Sequence, residues 1–201
     1  MREAILVRHA ESVFSVRGAV NGDPSVACPL TELGRDQARR LAELLADEQV
    51  DLCVTSEFER ARETAELALA GREIPQLVLA ELNDIRFGGY EGKQLTDYRS
   101  WARAHQPTDE APGGGESRAA TVLRYVAAYR TILERPEETI LVVAHSLPIR
   151  YVLNALDDRD PAPAVEQVPY AEPFRVDARG LAHAVERLEA WAAKPRWAAA
   201  A

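Results

Sequence analysis

Apolar positions along the chain take two forms that alternate. One is a short uninterrupted run: Ala4-Ile5-Leu6-Val7, β-branched at Ile5 and Val7, stops abruptly on Arg8-His9, and residues 51–55, 76–80 and 139–144 repeat the form, the last of them ended by His145. Runs of this kind predict strands buried on both faces, with 139–144 central in the sheet and 172–176 an edge strand. The other form is a stripe at helical spacing, as in Ala38, Leu41, Leu44 and Leu45, or Val122, Tyr125, Val126, Tyr129 and Ile132. Such stripes predict helices over 31–45, 56–70, 95–105, 117–133, 146–156 and 178–193. Thr31 and Ser56 are the expected N-caps, and Pro148 falls in a first turn, where its missing N–H costs least. Strand and helix alternating in this way argue for a mostly parallel sheet with crossovers.

The connections are long where a parallel strand ends. Residues 13–29 are expected as a loop, as are 81–92, which carry Gly88, Gly89 and Gly92, and 157–171; residues 106–115 are rich in Pro and Gly and read as an exposed connection. The carboxyl edge of an open α/β sheet is where ligands bind. No internal repeat or domain boundary interrupts the 201 residues, so a single domain over 1–201 is expected, with 93–115 as a lid or specificity segment and 194–201 as a frayed tail.

Composition narrows the choice of ligand. The formal net charge is −8, which argues against nucleic-acid or acidic-membrane partners, because these need broad positive fields. An anion site must therefore be a local arginine cluster. Cys28 and Cys53 form neither a metal-type spacing nor a disulfide framework, as in a reducing compartment. No run is long enough to span a membrane and no cationic leader precedes an apolar core, so a cytoplasmic location is expected. The pattern carries no signal for oligomeric state, a homodimer included.

Three predicted strands end on polar groups: Arg8-His9, Ser56 with Arg60 one helical turn on, and His145. Parallel strands would bring these to one rim, where a histidine beside arginines can attack an electrophile such as phosphorus. The chain resembles the histidine phosphatase superfamily, or phosphoglycerate-mutase-like family, in six motifs in family order: Leu-Val-Arg-His-Ala-Glu-Ser at 6–12, Pro-Leu-Thr-Glu-Leu-Gly at 29–34, Thr-Ser-Glu-Phe-Glu-Arg-Ala-Arg-Glu-Thr-Ala at 55–65, Asp-Ile-Arg-Phe-Gly-Gly-Tyr-Glu-Gly at 84–92, Gly-Gly-Glu-Ser at 114–117 and Val-Val-Ala-His-Ser at 142–146.

The resemblance implies a three-layer α/β/α sandwich, a nucleophile at His9 that becomes phosphohistidine, and Arg8, Arg60 and His145 around the phosphoryl oxygens. It places the proton donor at Asp84, with Glu81 and Glu91 as nearby rivals, and it implies no cofactor and no metal. By residue type alone His9, His145 and Asp84 suit a metal, but two flanking arginines speak against one. Three departures from the family pattern bear on substrate contacts: Ala10 follows the histidine, Ser15 stands where many members have an Asn that contacts phosphate, with Asn21 or Ser12 as substitutes, and Ser146 follows His145, where the helix behind it would add N–H groups. Arg86, Arg99, Arg103 and Arg118 are candidate specificity contacts, Arg62 is expected as an exposed helix residue, and His105 and His183 as solvated. The expected activity is metal-independent hydrolysis of a small phosphorylated metabolite. Two rivals stand beside it: a cofactor-dependent phosphoglycerate mutase, and a phosphate- or phosphoprotein-binding module without catalysis.

Overall fold

The computed structural model describes residues 1–197. In chain order its elements are β1 (Glu3–Arg8), α1 (Val13–Val16), α2 (Glu32–Leu44), β2 (Leu52–Thr55), α3 (Glu59–Ala68), β3 (Gln76–Val78), α4 (Leu95–Ala104), α5 (Arg118–Leu133), β4 (Thr139–Ala144), α6 (Ser146–Leu156), β5 (Pro173–Asp177) and α7 (Ala178–Ala193). Short 3₁₀ turns at Ala80–Leu82 and Gly88–Tyr90 punctuate the connection before α4.

The sheet order is β3-β2-β4-β1-β5, parallel throughout except for β5, which runs antiparallel to β1. β4 is the middle strand, and Pro173, which has no N–H for a ladder, begins the edge strand. Side chains alternate between the faces of a strand, so Ala4 and Leu6 enter a core with Tyr125, Tyr129, Val152 and Leu181 of α5, α6 and α7. Ile5 and Val7 enter the opposite core with Ala38, Leu41, Ala61 and Ala65 of α2 and α3. The result is three layers with helices on both faces of the sheet. Among the described residues no helix is long and apolar enough to cross a membrane.

Helix caps follow the sequence at Thr31, which accepts the Gly34 N–H, and differ at Ser56. The cap of α3 is Phe58, and the Ser56 hydroxyl is 2.9 Å from His145 Nε2 instead. The loop expected over 13–29 contains the one-turn helix α1. In the expected tail, residues 194–197 form no helix past the cap of α7, and two indoles reach across it: Trp197 donates to the His105 carbonyl and Trp191 to the Arg196 carbonyl. The rest of the expected tail, 198–201, lies outside the described residues.

Candidate active site

β2, β4 and β1 are adjacent and parallel, so their carboxyl ends share one rim. Arg8 and His9 follow β1 there, Ser56 follows β2, His145 follows β4, and the first turns of α3 bring in Arg60. Asp84 arrives from the irregular segment between the two 3₁₀ turns. All of these border or floor a cavity of about 400 Å³, except Ser56 and His145, which lie behind it.

His9 is buried, and its Nδ1 lies 2.7 Å from the Ala10 carbonyl oxygen. A carbonyl can only accept, so Nδ1 carries the proton and Nε2 the lone pair. Burial, reinforced by the Arg60 and Arg8 guanidiniums, holds the imidazole pKa well below its usual value, so the ring is neutral. Ala10 needs no left-handed backbone; its N–H donates to Thr64 Oγ1, and Thr64 in turn donates to the Arg60 carbonyl.

Arg60 joins the groups to one another. Its Nε donates to His9 Nε2 at 3.2 Å, Nη1 to Asn21 Oδ1 at 2.7 Å, and Nη2 to the Asn21 carbonyl at 3.1 Å and to His145 Nδ1 at 3.3 Å. His145 therefore accepts at Nδ1 and donates from Nε2 to Ser56, with Phe58 packed edge-on against its ring. Burial, then the Arg60 charge, keeps it neutral well below the usual histidine range. Asp84 Oδ2 stands 3.8 Å from Arg60 Nη2 and 3.9 Å from His145 Nδ1. Burial raises the Asp84 pKa against the pull of Arg60.

Arg8 is fixed from the other side. Its Nη1 donates to the Val168 carbonyl at 2.7 Å and to Gln167 Oε1 at 3.2 Å, and its guanidinium lies over the Tyr170 ring at 3.8 Å. Among the described residues the buried Arg8 Nε has no partner, and Arg8 borders the cavity.

The remaining sequence candidates divide clearly. Ser15 and Ser12 border the cavity with their hydroxyls paired at 2.9 Å, and Asn21 is buried against Arg60. The Ser146 hydroxyl accepts the Val168 N–H, which pins the 157–171 loop, and Ser146 borders a smaller cleft together with Arg8, His9 and Asp84. Glu91 accepts from the backbone of Gly22 and Phe87, and Glu81 is exposed; neither borders the cavity on His9. Arg99 borders it, Arg118 borders a smaller adjoining cleft, and Arg62 and Arg103 are exposed. Arg86 faces a separate outer cavity. Of segment 93–115, residues 94–96 and 99 line the cavity, whereas 106–115 do not. His105 stacks on Trp101, and His183 lies near Asp158. Among the described residues no group of three or more His, Cys, Asp or Glu side chains gathers as metal ligands, since Arg60 stands between His9, His145 and Asp84.

Sequence reading missed three contributors. Thr64 lies one helical turn after Arg60 and faces the same side, and Gln167 and Tyr170 meet Arg8 across most of the chain; Ser56 was placed on the rim but read as a cap, not as the partner of His145.

A model of the histidine phosphatase superfamily (branch 1) matches residues 4–188. Adenosylcobalamin/alpha-ribazole phosphatase of Salmonella typhimurium is 35% identical over 151 residues, spanning 70% of this chain and 72% of its own. A 2,3-bisphosphoglycerate-dependent phosphoglycerate mutase 2 of Gloeobacter violaceus is 31% identical over 183 residues, 84% of this chain and 80% of its own. The crystal structure of the alpha-ribazole phosphatase from Shigella flexneri superposes with a TM-score of 0.75 at 28% identity, over 87% of this chain and 90% of that one. Fold, cavity and likeness agree, and the chain belongs to the histidine phosphatase superfamily.

Proposed function

We propose that this protein hydrolyses phosphomonoesters of a small phosphorylated molecule through a phosphohistidine on His9, without a metal. The observation that carries the reading is the His9 tautomer: the Ala10 carbonyl holds the proton on Nδ1, so the Nε2 lone pair, which accepts from Arg60 Nε at 3.2 Å and must exchange that bond for phosphorus, is the nucleophile beside a cavity walled by two guanidiniums and one carboxyl group.

In the first displacement Nε2 attacks phosphorus in line while the ester oxygen leaves with the proton of Asp84. Burial keeps that proton on the carboxyl group to higher pH than an exposed aspartate would. Arg60 and the unpartnered Arg8 Nε supply N–H groups for the equatorial oxygens, and their fixed charge takes the place a metal would fill. In the second displacement the Asp84 carboxylate takes a proton from water as its oxygen attacks phosphorus, releasing inorganic phosphate and restoring His9. His145, held by Ser56, stands behind the cavity and accepts from Arg60 Nη2, which helps to fix that guanidinium.

The relatives divide between phosphatase and mutase. A short segment between the glycine turn and the Gly-Gly-Glu-Ser motif leaves the phosphohistidine open to water, which favours hydrolysis. The test is a panel of phosphomonoesters, with 3-phosphoglycerate primed by its bisphosphate, assayed in the presence of chelator for released phosphate and for isomerised product. Phosphate release that His9→Ala abolishes is expected. Isomerisation without release would establish the mutase, silence from both the binding module, and loss on chelation would remove the metal-free mechanism.

A further inference from the structure

We propose that Arg124 is a positioning residue for Asp84, acting from an anchor at Glu116. The inference rests on Asp84 serving as proton donor. The segment from residue 83 to 87 forms no strand or helix, so its backbone groups need partners outside regular structure. Arg124, on α5, supplies them: Nη1 donates to the carbonyls of Glu81 at 2.9 Å and Asn83 at 2.7 Å, and Nη2 to that of Asp84 at 3.2 Å. The same guanidinium is clamped by Glu116, from Nε to Oε1 at 2.9 Å and from Nη2 to Oε2 at 2.8 Å.

Glu116 also grips the chain beyond Asp84. Its Oε2 accepts the Arg86 N–H at 2.9 Å, and its own N–H donates to the Arg86 carbonyl at 2.8 Å. Asp84 is therefore bracketed, with Arg124 holding the carbonyls up to it and Glu116 holding both backbone groups two residues past it. Burial works against the Glu116 charge, and the bonds from Arg124 and Arg86 more than offset this, so the pair stays ionised.

Neither Arg124 nor Glu116 borders the cavity on His9. Both border a separate surface cavity on the outer side of the segment. Their effect on turnover then travels through the placement of Asp84 or through the Arg124 charge, which pulls on Asp84 and His145; a lysine at 124 keeps the charge and loses the fork, which separates the two. Planar fork geometry matters here, because one group must reach a carboxylate and three carbonyls together, which a lysine ammonium cannot do. Misplacing a reacting group by about 1 Å can cost about a hundredfold in rate.

The test compares kcat and KM for p-nitrophenyl phosphate, whose leaving group needs little protonation, and β-glycerophosphate, whose alkoxide needs it. Arg124→Met is expected to lower kcat on the alkyl ester about tenfold or more, to change kcat on the aryl ester less than about twofold, and to leave both KM values and inhibition by inorganic phosphate unchanged. Arg124→Lys should fall with Arg124→Met. Glu116→Gln, which keeps the side-chain shape, carries the same expectation should Arg124→Met not fold. Equal losses on the two esters, or a lysine variant as fast as the wild type, would overturn the proposal. Asp84→Asn run alongside separates the two failures: if it too loses equally on both esters, Asp84 is not the donor, whereas an Asp84→Asn that discriminates beside Arg124 variants that do not removes only the positioning role.

Discussion

At the scale of single residues, the cavity owes its chemistry to groups held away from their usual charge. His145 is fully buried, and Arg60 faces its Nδ1, so the folded ring stays neutral well below pH 6.5. In the unfolded chain the same ring takes up a proton near pH 6.5. Below that pH the unfolded state binds more protons, so this residue makes stability fall as pH falls, by up to about 1.4 kcal/mol per unit until the folded pKa is reached. Asp84 has the opposite sign, since its raised pKa lets the folded state keep a proton that the unfolded state releases. A comparison with His145→Gln isolates the histidine. On lowering the pH from 7.5 to 5, the wild-type Tm should drop relative to that of the variant, and a constant difference would mean that His145 titrates as an ordinary exposed histidine. His9 and Arg8 were legible in the sequence because they sit where a buried run breaks, whereas Asp84 was reached only through the family resemblance, with Glu81 and Glu91 beside it. Tyr170 and Gln167 were not, because what makes them matter is a cation above a ring, formed only when distant segments meet.

At the scale of elements, the site depends on how closely α2 approaches the turn after β1. A Cβ at Gly34 would stand 2.0 Å from the Glu11 carbonyl oxygen, and this contact is cemented by Thr31 N–H to the Glu11 carbonyl and by Thr31 Oγ1 to the Glu11 carboxylate. Alanine at a helical position gains up to about 1 kcal/mol over glycine, while forcing extra volume into a packed contact costs about 1–3 kcal/mol. Against backbone the upper part of that range applies. Gly34→Ala should therefore lower stability by about 1–2 kcal/mol, measured by urea unfolding, with a loss of turnover because the displaced turn carries His9 and Ala10; an equal or higher midpoint would show that α2 can retreat. Helix and strand periods made nearly every element readable, since the buried strands keep their side chains on two cores at once. Ser56 was misread because a serine before a helix satisfies a capping pattern equally well whether its hydroxyl turns to the helix or, as here, to His145 across the sheet. The short α1 escaped because one turn is too brief to show a period.

At the scale of the whole molecule, a chain with a net charge of −8 buries two guanidiniums, Arg8 and Arg60, beside one carboxyl group. Arg8 and Arg60 face a cavity whose His9, like the His145 behind it, is neutral and whose carboxyl group has a raised pKa. The surrounding acidic surface repels an anion at long range, but exposed charges are screened by salt far more than buried ones. Inorganic phosphate, the smallest group that fits the proposed reaction, should therefore bind to the folded state alone and raise Tm. At a hundredfold excess over Kd the added stability is about 2.7 kcal/mol, which for a chain of this size corresponds to about 5–10 °C. Arg60→Ala should erase the shift, because it removes the N–H groups that join His9, His145 and Asp84, whereas Arg62→Ala, on the exposed side of the same helix, should keep it. Thermal scans of the three proteins across phosphate concentrations decide the point: a shift that survives in Arg60→Ala would place the anion elsewhere on the molecule and detach the cationic cavity from phosphoryl binding altogether.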